Sequence, residues 1–190
     1  MVSRRGFIGG ALGLAISPVS MADDPAAWER LRAGGFVVLM RHASTEAGLG
    51  DPPGFRLGDC ATQRNLSEQG RDEARRVGAR FKSAGIPVAR VFTSPWCRCR
   101  ETAMLAFGRA EDWMPLASFF DLPHKEREYN ERVKKRVGGY ALHKPAGNVV
   151  MVTHNVNIAA LSRQSVEPAE LVVMRPDGCC GARMVVRLKA

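Results

Sequence analysis

The chain has 190 residues, 45% of them hydrophobic and 25% charged. That composition excludes a disordered or fibrous chain, and the length suffices for one domain with a sizeable core. The formal charge of +9 favours anionic partners, whether phosphorylated metabolites, nucleic acid or an acidic membrane surface, without choosing among them.

The first segment reads as a signal and not as part of the fold. "MVSRRGFIGGALGLAISPVSMADDP" has basic residues at Arg4 and Arg5, an apolar run from Phe7 to Ile16, and a small-x-small site at Ser20-Met21-Ala22. The apolar run is short for a bilayer span. The order Ser3-Arg4-Arg5-Gly6-Phe7-Ile8 resembles the twin-arginine export signal of bacteria. The expected division is therefore a signal peptide over 1–22 and one domain over 23–190, acting in the periplasm or secreted. Residues 1–22 hold two arginines and no acid, so residues 23–190 keep an excess of seven positive charges. The basic balance belongs to the domain.

Phe36 to Met40 is a continuous apolar run, the pattern of a strand buried on both faces. It ends directly on Arg41-His42. A Gly/Pro-rich stretch of about twenty residues follows, "GLGDPPGFRLGDCATQRN", and a loop of that length in a compact domain is usually functional or mobile. "LSEQGRDEARRVGARFKSAG" predicts a helix with Ser67 as N-cap, Gly85 at its end, and Ala74, Val77 and Phe81 on its apolar face. "VARVFTS" predicts a second strand, and "PWCRCRETAMLAF" a helix with Pro95 at its first position. "KEREYNERVKKRV" predicts a helix with a solvated charged face. "NVVMVTHNVNIAALS" is a buried strand running into a helix. "ELVVMRPDG" and "ARMVVRLKA" are closing strands with a turn at Asp177-Gly178. Strands alternating with helices predict an α/β fold with a mostly parallel central sheet, and ligands of such sheets bind at the carboxyl ends of the strands.

Three of these strands end on residues of one chemical kind. The first delivers Arg41-His42, the second Thr93-Ser94 with Arg98 a turn beyond, and the third Thr153-His154. If the strands are neighbours, two arginines and two histidines converge. Guanidinium groups fork onto phosphate oxygens. A neutral imidazole attacks phosphorus, and a second, protonated, stabilises the charge on the transferring group. The chemistry calls for no metal or cofactor.

These segments resemble the histidine phosphatase, or phosphoglycerate mutase-like, superfamily. Arg41-His42-Ala43-Ser44-Thr45 is similar to its RHG/RHA-x-T signature, "NLSEQGRDEA" to the helix that follows, "SPWCRCRETA" to its S-P-x-x-R-x-x-x-T-A stretch, and "VVMVTH" to the strand carrying its second histidine. The resemblance covers residues 36 to about 160 in the family's order. It implies a three-layer α/β/α sandwich, a phosphohistidine intermediate on His42, and a phosphate pocket of Arg41, His42, Arg98 and His154. It also implies a metal-independent phosphoric monoester hydrolase with a small phosphorylated substrate. No nucleic acid and no stable membrane span of the mature chain are expected.

Asn155 stands where the acid phosphatase branch of the family has a proton-donating aspartate, so another acid is needed. Asp121 is the first candidate, with Glu126, Glu128 and Glu46 behind it. Two rival readings are a phosphate-ligand binding module that has lost turnover and an envelope protein using its basic surface on anionic glycans or lipids. Five cysteines, Cys60, Cys97, Cys99, Cys179 and Cys180, are an odd number, so one is free or pairs between chains. In an exported protein they oxidise. Cys60 lies in the long loop and Cys97 beside Arg98, so a Cys60–Cys97 bridge is expected if that loop folds over the pocket. Cys99 is the rival partner, and Cys179 or Cys180 is an alternative partner for Cys99.

Overall fold

The computed structural model describes residues 25–178 and 181–190. The signal-peptide reading of residues 1–22, and Cys179 and Cys180, fall outside them.

The six strands among the described residues are β1 (Val37–Arg41), β2 (Val88–Thr93), β3 (Glu111–Asp112), β4 (Asn148–Thr153), β5 (Leu171–Pro176) and β6 (Ala182–Leu188). They form one sheet in the order β3-β2-β4-β1-β5-β6. From β3 to β1 the neighbours are parallel, whereas β5 and β6 run antiparallel. The antiparallel part follows from the short turn at Asp177-Gly178, where Gly178 takes φ +87. Without a crossover helix, two consecutive strands can only reverse.

Among the described residues, five α-helices cover the sheet: α1 (Pro25–Arg32), α2 (Glu68–Ser83), α3 (Cys97–Phe107), α4 (Glu126–Leu142) and α5 (Asn155–Ser162). Because side chains alternate along a strand, β1 sends Val38 and Met40 into one core with Trp28, Leu31, Val77, Phe81 and Ala103, and Val37 and Leu39 into another with Val133, Val137 and Ile158. Helices α1, α2 and α3 therefore make one layer, and α4 and α5 the other. This is the three-layer sandwich expected.

Two local details differ from the sequence reading. The third helix begins at Cys97 with Trp96 as its N-cap, so Pro95 lies outside it. Trp96 is extended, φ −66 and ψ 137, and its indole is already held by a carboxylate, so the helix starts after it. The sequence reading also assigned no structure to α1, which buries Trp28 and Leu31 beneath Phe81 and the sheet.

Two features fix the layers. Asn148 is fully buried at the start of β4. Its Oδ1 accepts from Phe36 N (3.2 Å) and its Nδ2 donates to Leu31 O (2.7 Å) and Pro87 O (3.0 Å), so an amide whose desolvation would otherwise cost about 1–3 kcal/mol instead ties three chain segments. On the other side of the molecule, α2 starts with Ser67 Oγ accepting from Gly70 N. A Cβ on Gly70 would lie 1.9 Å from Ser44 O. Glycine there lets the helix N-terminus press against the segment that follows β1.

Candidate active site

The carboxyl ends of β2, β4 and β1 are adjacent. Arg41 pairs in register with Thr153, and Thr93 with Val152. The residues just beyond keep the ladder going, with His42 N donating to Thr153 O (2.9 Å) and Ser94 N to Val152 O (2.9 Å). His42, Ser94 and His154 therefore emerge side by side. His42 and His154 open on a cavity of about 140 Å³ whose walls also include Arg41, Arg98 and Asp121. Asp51 and Arg64 stand in the same walls, and the sequence reading had singled out neither.

His42 is buried, and its ring centroid lies 5.3 Å from that of His154. Its Nδ1 is 2.8 Å from Ala43 O. A carbonyl oxygen only accepts, so Nδ1 carries the proton and Nε2 the lone pair. Burial, with the nearby Arg98, Arg41 and Arg64 charges and against the Ala43 contact, lowers the His42 pKa to about 3. The imidazole is neutral and fit to act as a nucleophile at ordinary pH. The backbone around it is fixed: Ala43 N donates to Thr102 Oγ1 (3.1 Å), and Ser44 N and Oγ both donate to the Glu73 carboxylate (2.9 Å each).

His154 is buried but lines the cavity. Its Nε2 is 2.8 Å from Ser94 Oγ and 3.6 Å from Cys99 Sγ, which leaves Nδ1 as the nitrogen available to a ligand. Burial, then the His42, Arg98 and Arg41 neighbours, lowers its pKa well below the usual value. The second imidazole is thus neutral in the structure, where the sequence reading expected a protonated one. Positive charge at this site comes from guanidinium groups. Cys99 is a free thiol, and burial raises its pKa to about 12, so it is no rival nucleophile.

Three arginines supply that charge. Arg41 Nη1 donates to Val166 O (2.6 Å), and Arg64 Nη1 donates to Gly48 O. Arg98 Nη1 donates to both Asp51 oxygens (2.8 and 3.1 Å). In all three, Nε is buried and has no hydrogen-bond partner. Buried N–H groups are rarely left unpaired. All three residues line the same cavity, which makes it a cationic site suited to an oxyanion. Burial lowers the pKa of Arg41 and Arg64 from a value so high that both stay cationic.

Asp51 organises this set. Besides Arg98, it accepts from Arg64 N (2.9 Å) and from Trp96 Nε1 (3.0 Å). Burial on its own would raise its pKa; the bonds from Arg98, Arg64 N–H and Trp96 outweigh that and hold the carboxyl below the usual range. It is an anion with its lone pairs engaged, unsuited to giving a proton. Asp121 is the other carboxyl in the cavity wall. Glu46, Glu126 and Glu128 are exposed and do not line it. Asn155 is engaged elsewhere, accepting from Val166 N (2.8 Å) and pairing with Ser165 Oγ.

The loop carrying Asp51 and Arg64 is tied down in two ways. A disulfide joins Cys60 to Cys97, with Cα atoms 5.7 Å apart, and Gln63 Oε1 accepts from Cys97 N (3.0 Å) while its Nε2 donates to Arg56 O and Leu57 O (2.9 Å each). Among the described residues no group of three or more His, Cys, Asp or Glu is placed to hold a metal, and no helix is long and apolar enough to cross a membrane.

Residues 37–123 match the model of the histidine phosphatase superfamily (branch 1). Among solved structures, the chain is similar to the protein histidine phosphatase SixA complexed with tungstate (16% identity, TM-score 0.54, 81% of this chain and 96% of that one). It is also similar to phosphoglycerate mutase from Thermus thermophilus (22%, 0.53, 82% and 99%) and to a phosphoserine phosphatase variant from Entamoeba histolytica in complex with phosphoserine (14%, 0.55, 80% and 95%). At these identities the likeness is one of fold. No curated protein matches the sequence.

Proposed function

We propose that this chain, which belongs to the histidine phosphatase superfamily, hydrolyses phosphomonoesters through a phosphohistidine on His42. One observation carries the reading: a neutral imidazole with its lone pair on Nε2 lines the same cavity as three arginines, each with a buried Nε–H that has no partner.

The phosphoryl oxygens bind Arg41, Arg64 and Arg98, with the remaining ring nitrogen of His154 donating to the same group. Nε2 of His42 forms a bond to phosphorus as the ester P–O bond breaks. Asp121 is the proton donor proposed for the departing alkoxide. A water oxygen then attacks phosphorus, its proton goes to the Asp121 carboxylate, the P–N bond breaks, and phosphate leaves. Positioning and charge stabilisation supply most of the catalysis in such a transfer. The site of action proposed is the periplasm or envelope, after removal of residues 1–22. Its support is the N-terminal sequence alone, and intact-mass analysis of the envelope fraction tests it: a product that retains residues 1–22 contradicts it.

The test of the chemistry is His42→Ala with p-nitrophenyl phosphate. Turnover should fall at least about a hundredfold with the melting temperature nearly kept, since the ring sits among polar groups and leaves no apolar cavity. Activity above about a hundredth of wild type removes His42 as the nucleophile.

A further inference from the structure

The cavity has two parts of different chemistry. The inner part holds Arg41, Arg64 and Arg98 against one carboxylate, Asp51, and both imidazoles are neutral. The excess of two positive charges matches the −1.5 to −2 or so carried by one phosphomonoester near neutral pH. One phosphoryl group fills it electrostatically.

The outer wall is made differently. Leu49, from the segment between β1 and α2, is 89% exposed, and Phe120, from the segment between β3 and α4, is 57% exposed. Both line this cavity, together with the partly exposed Val156. Scattered exposed apolar side chains need no explanation, but apolar side chains gathered at the mouth of a charged site mark a ligand surface. The one ionisable group among the described residues of the outer wall is a carboxyl, Asp121. The nearest cation, Arg64, has its Nη1 on Gly48 O beside Leu49 and is one of the three that balance the phosphoryl group, so none is left over to receive a second anionic group.

From this juxtaposition we infer that the site selects phosphomonoesters whose leaving group is uncharged and has an apolar body, seated against Leu49 and Phe120. It discriminates against leaving groups that bear a further phosphate or a carboxylate. The apolar body leaves water on the two exposed side chains, while a second anion would find no cation left free to pair with it. The inference rests on the phosphatase reading above and names the substrate class of that site.

Three primary alkyl esters test it on the full chain: hexyl phosphate, glycerol 1-phosphate and 3-phosphoglycerate. Hexanol is the poorest leaving group of the three, so a preference for its ester reports on binding and not on leaving-group acidity. The expected kcat/KM is at least about tenfold higher for hexyl phosphate than for glycerol 1-phosphate, with 3-phosphoglycerate lowest. In Leu49→Ser and Phe120→Ser the ratio of hexyl to glycerol ester should fall several-fold toward one. Glycerol 1-phosphate or 3-phosphoglycerate turned over as well as hexyl phosphate overturns the inference and leaves the phosphatase reading standing. So does a ratio unchanged in both variants. If the wild type turns over none of the three and tungstate does not bind, both fall together.

Discussion

Asp51 spends both of its oxygens on Arg98 Nη1 and the two neighbouring N–H groups, so the edge of Arg98 left for a phosphoryl group is Nε with Nη2. A buried carboxylate beside a substrate-binding arginine reduces the local positive charge, yet it fixes the direction of the guanidinium. For Asp51→Asn these two effects separate. The amide places an N–H group against donors, which should destabilise the fold by about 3 kcal/mol, the scale of a broken buried pair. The pocket gains a net positive charge, so tungstate affinity should hold or rise, while kcat falls at least about tenfold because Arg98 is no longer aimed. Loss of tungstate affinity with kcat unchanged contradicts a positioning role. Arg41, His42, Arg98 and His154 were legible because each stands at or near the end of an apolar run. Asp51 and Arg64 were not, because a Gly/Pro-rich stretch has no period and its side-chain directions depend on tertiary contacts. The neutrality of His154 was also beyond the sequence, since it follows from burial beside His42, Arg98 and Arg41.

At the level of elements, the segment between β1 and α2 behaves as a strap over the site. It delivers Leu49, Asp51 and Arg64, and it is held to the start of α3 by the Cys60–Cys97 bridge and by Gln63. The two cysteines are 37 residues apart in sequence, and closing a loop of that length stabilises by about 3–4 kcal/mol in the chain-entropy account. Reduction with dithiothreitol should lower the melting temperature. It should also lower kcat/KM more than it lowers the folded fraction, because the released strap carries Asp51 and Arg64 away from Arg98. Peptide mapping under native, non-reducing conditions checks the bond itself, and full activity of a verified reduced protein contradicts the strap account. The strands and α2 were readable from alternation, capping and spacing: Ser67 is the cap, and Ala74, Val77 and Phe81 are the buried face. The start of α3 was misplaced because proline at a first helical position is only a preference, here overridden by the Trp96–Asp51 contact.

For the molecule as a whole, the two buried neutral histidines link stability to pH. The folded value for His42 is about 3 against an ordinary 6.5, and His154 is lowered as well. Between these values the unfolded chain binds protons that the folded chain does not, so stability is complete above about pH 6.5 and declines as pH falls toward 3. With two such groups the slope approaches about 2.7 kcal/mol per pH unit. Urea denaturation at pH 7, 6 and 5 measures it, and His42→Asn should remove about half. A flat profile over that window contradicts neutral burial of the pair. The parallel pairing of β2, β4 and β1 brings three strand ends to one edge, and the hairpin at Gly178 adds β6 beside β5.

The central claim is that phosphorus passes through a bond to His42. Rapid quenching of the full chain with a 32P-labelled aryl phosphate during the first turnover tests it most directly. The account predicts acid-labile, alkali-stable label on the peptide that contains His42, appearing no later than the released alcohol and absent in His42→Ala. Turnover without protein-bound label, or label on a peptide lacking His42, contradicts it.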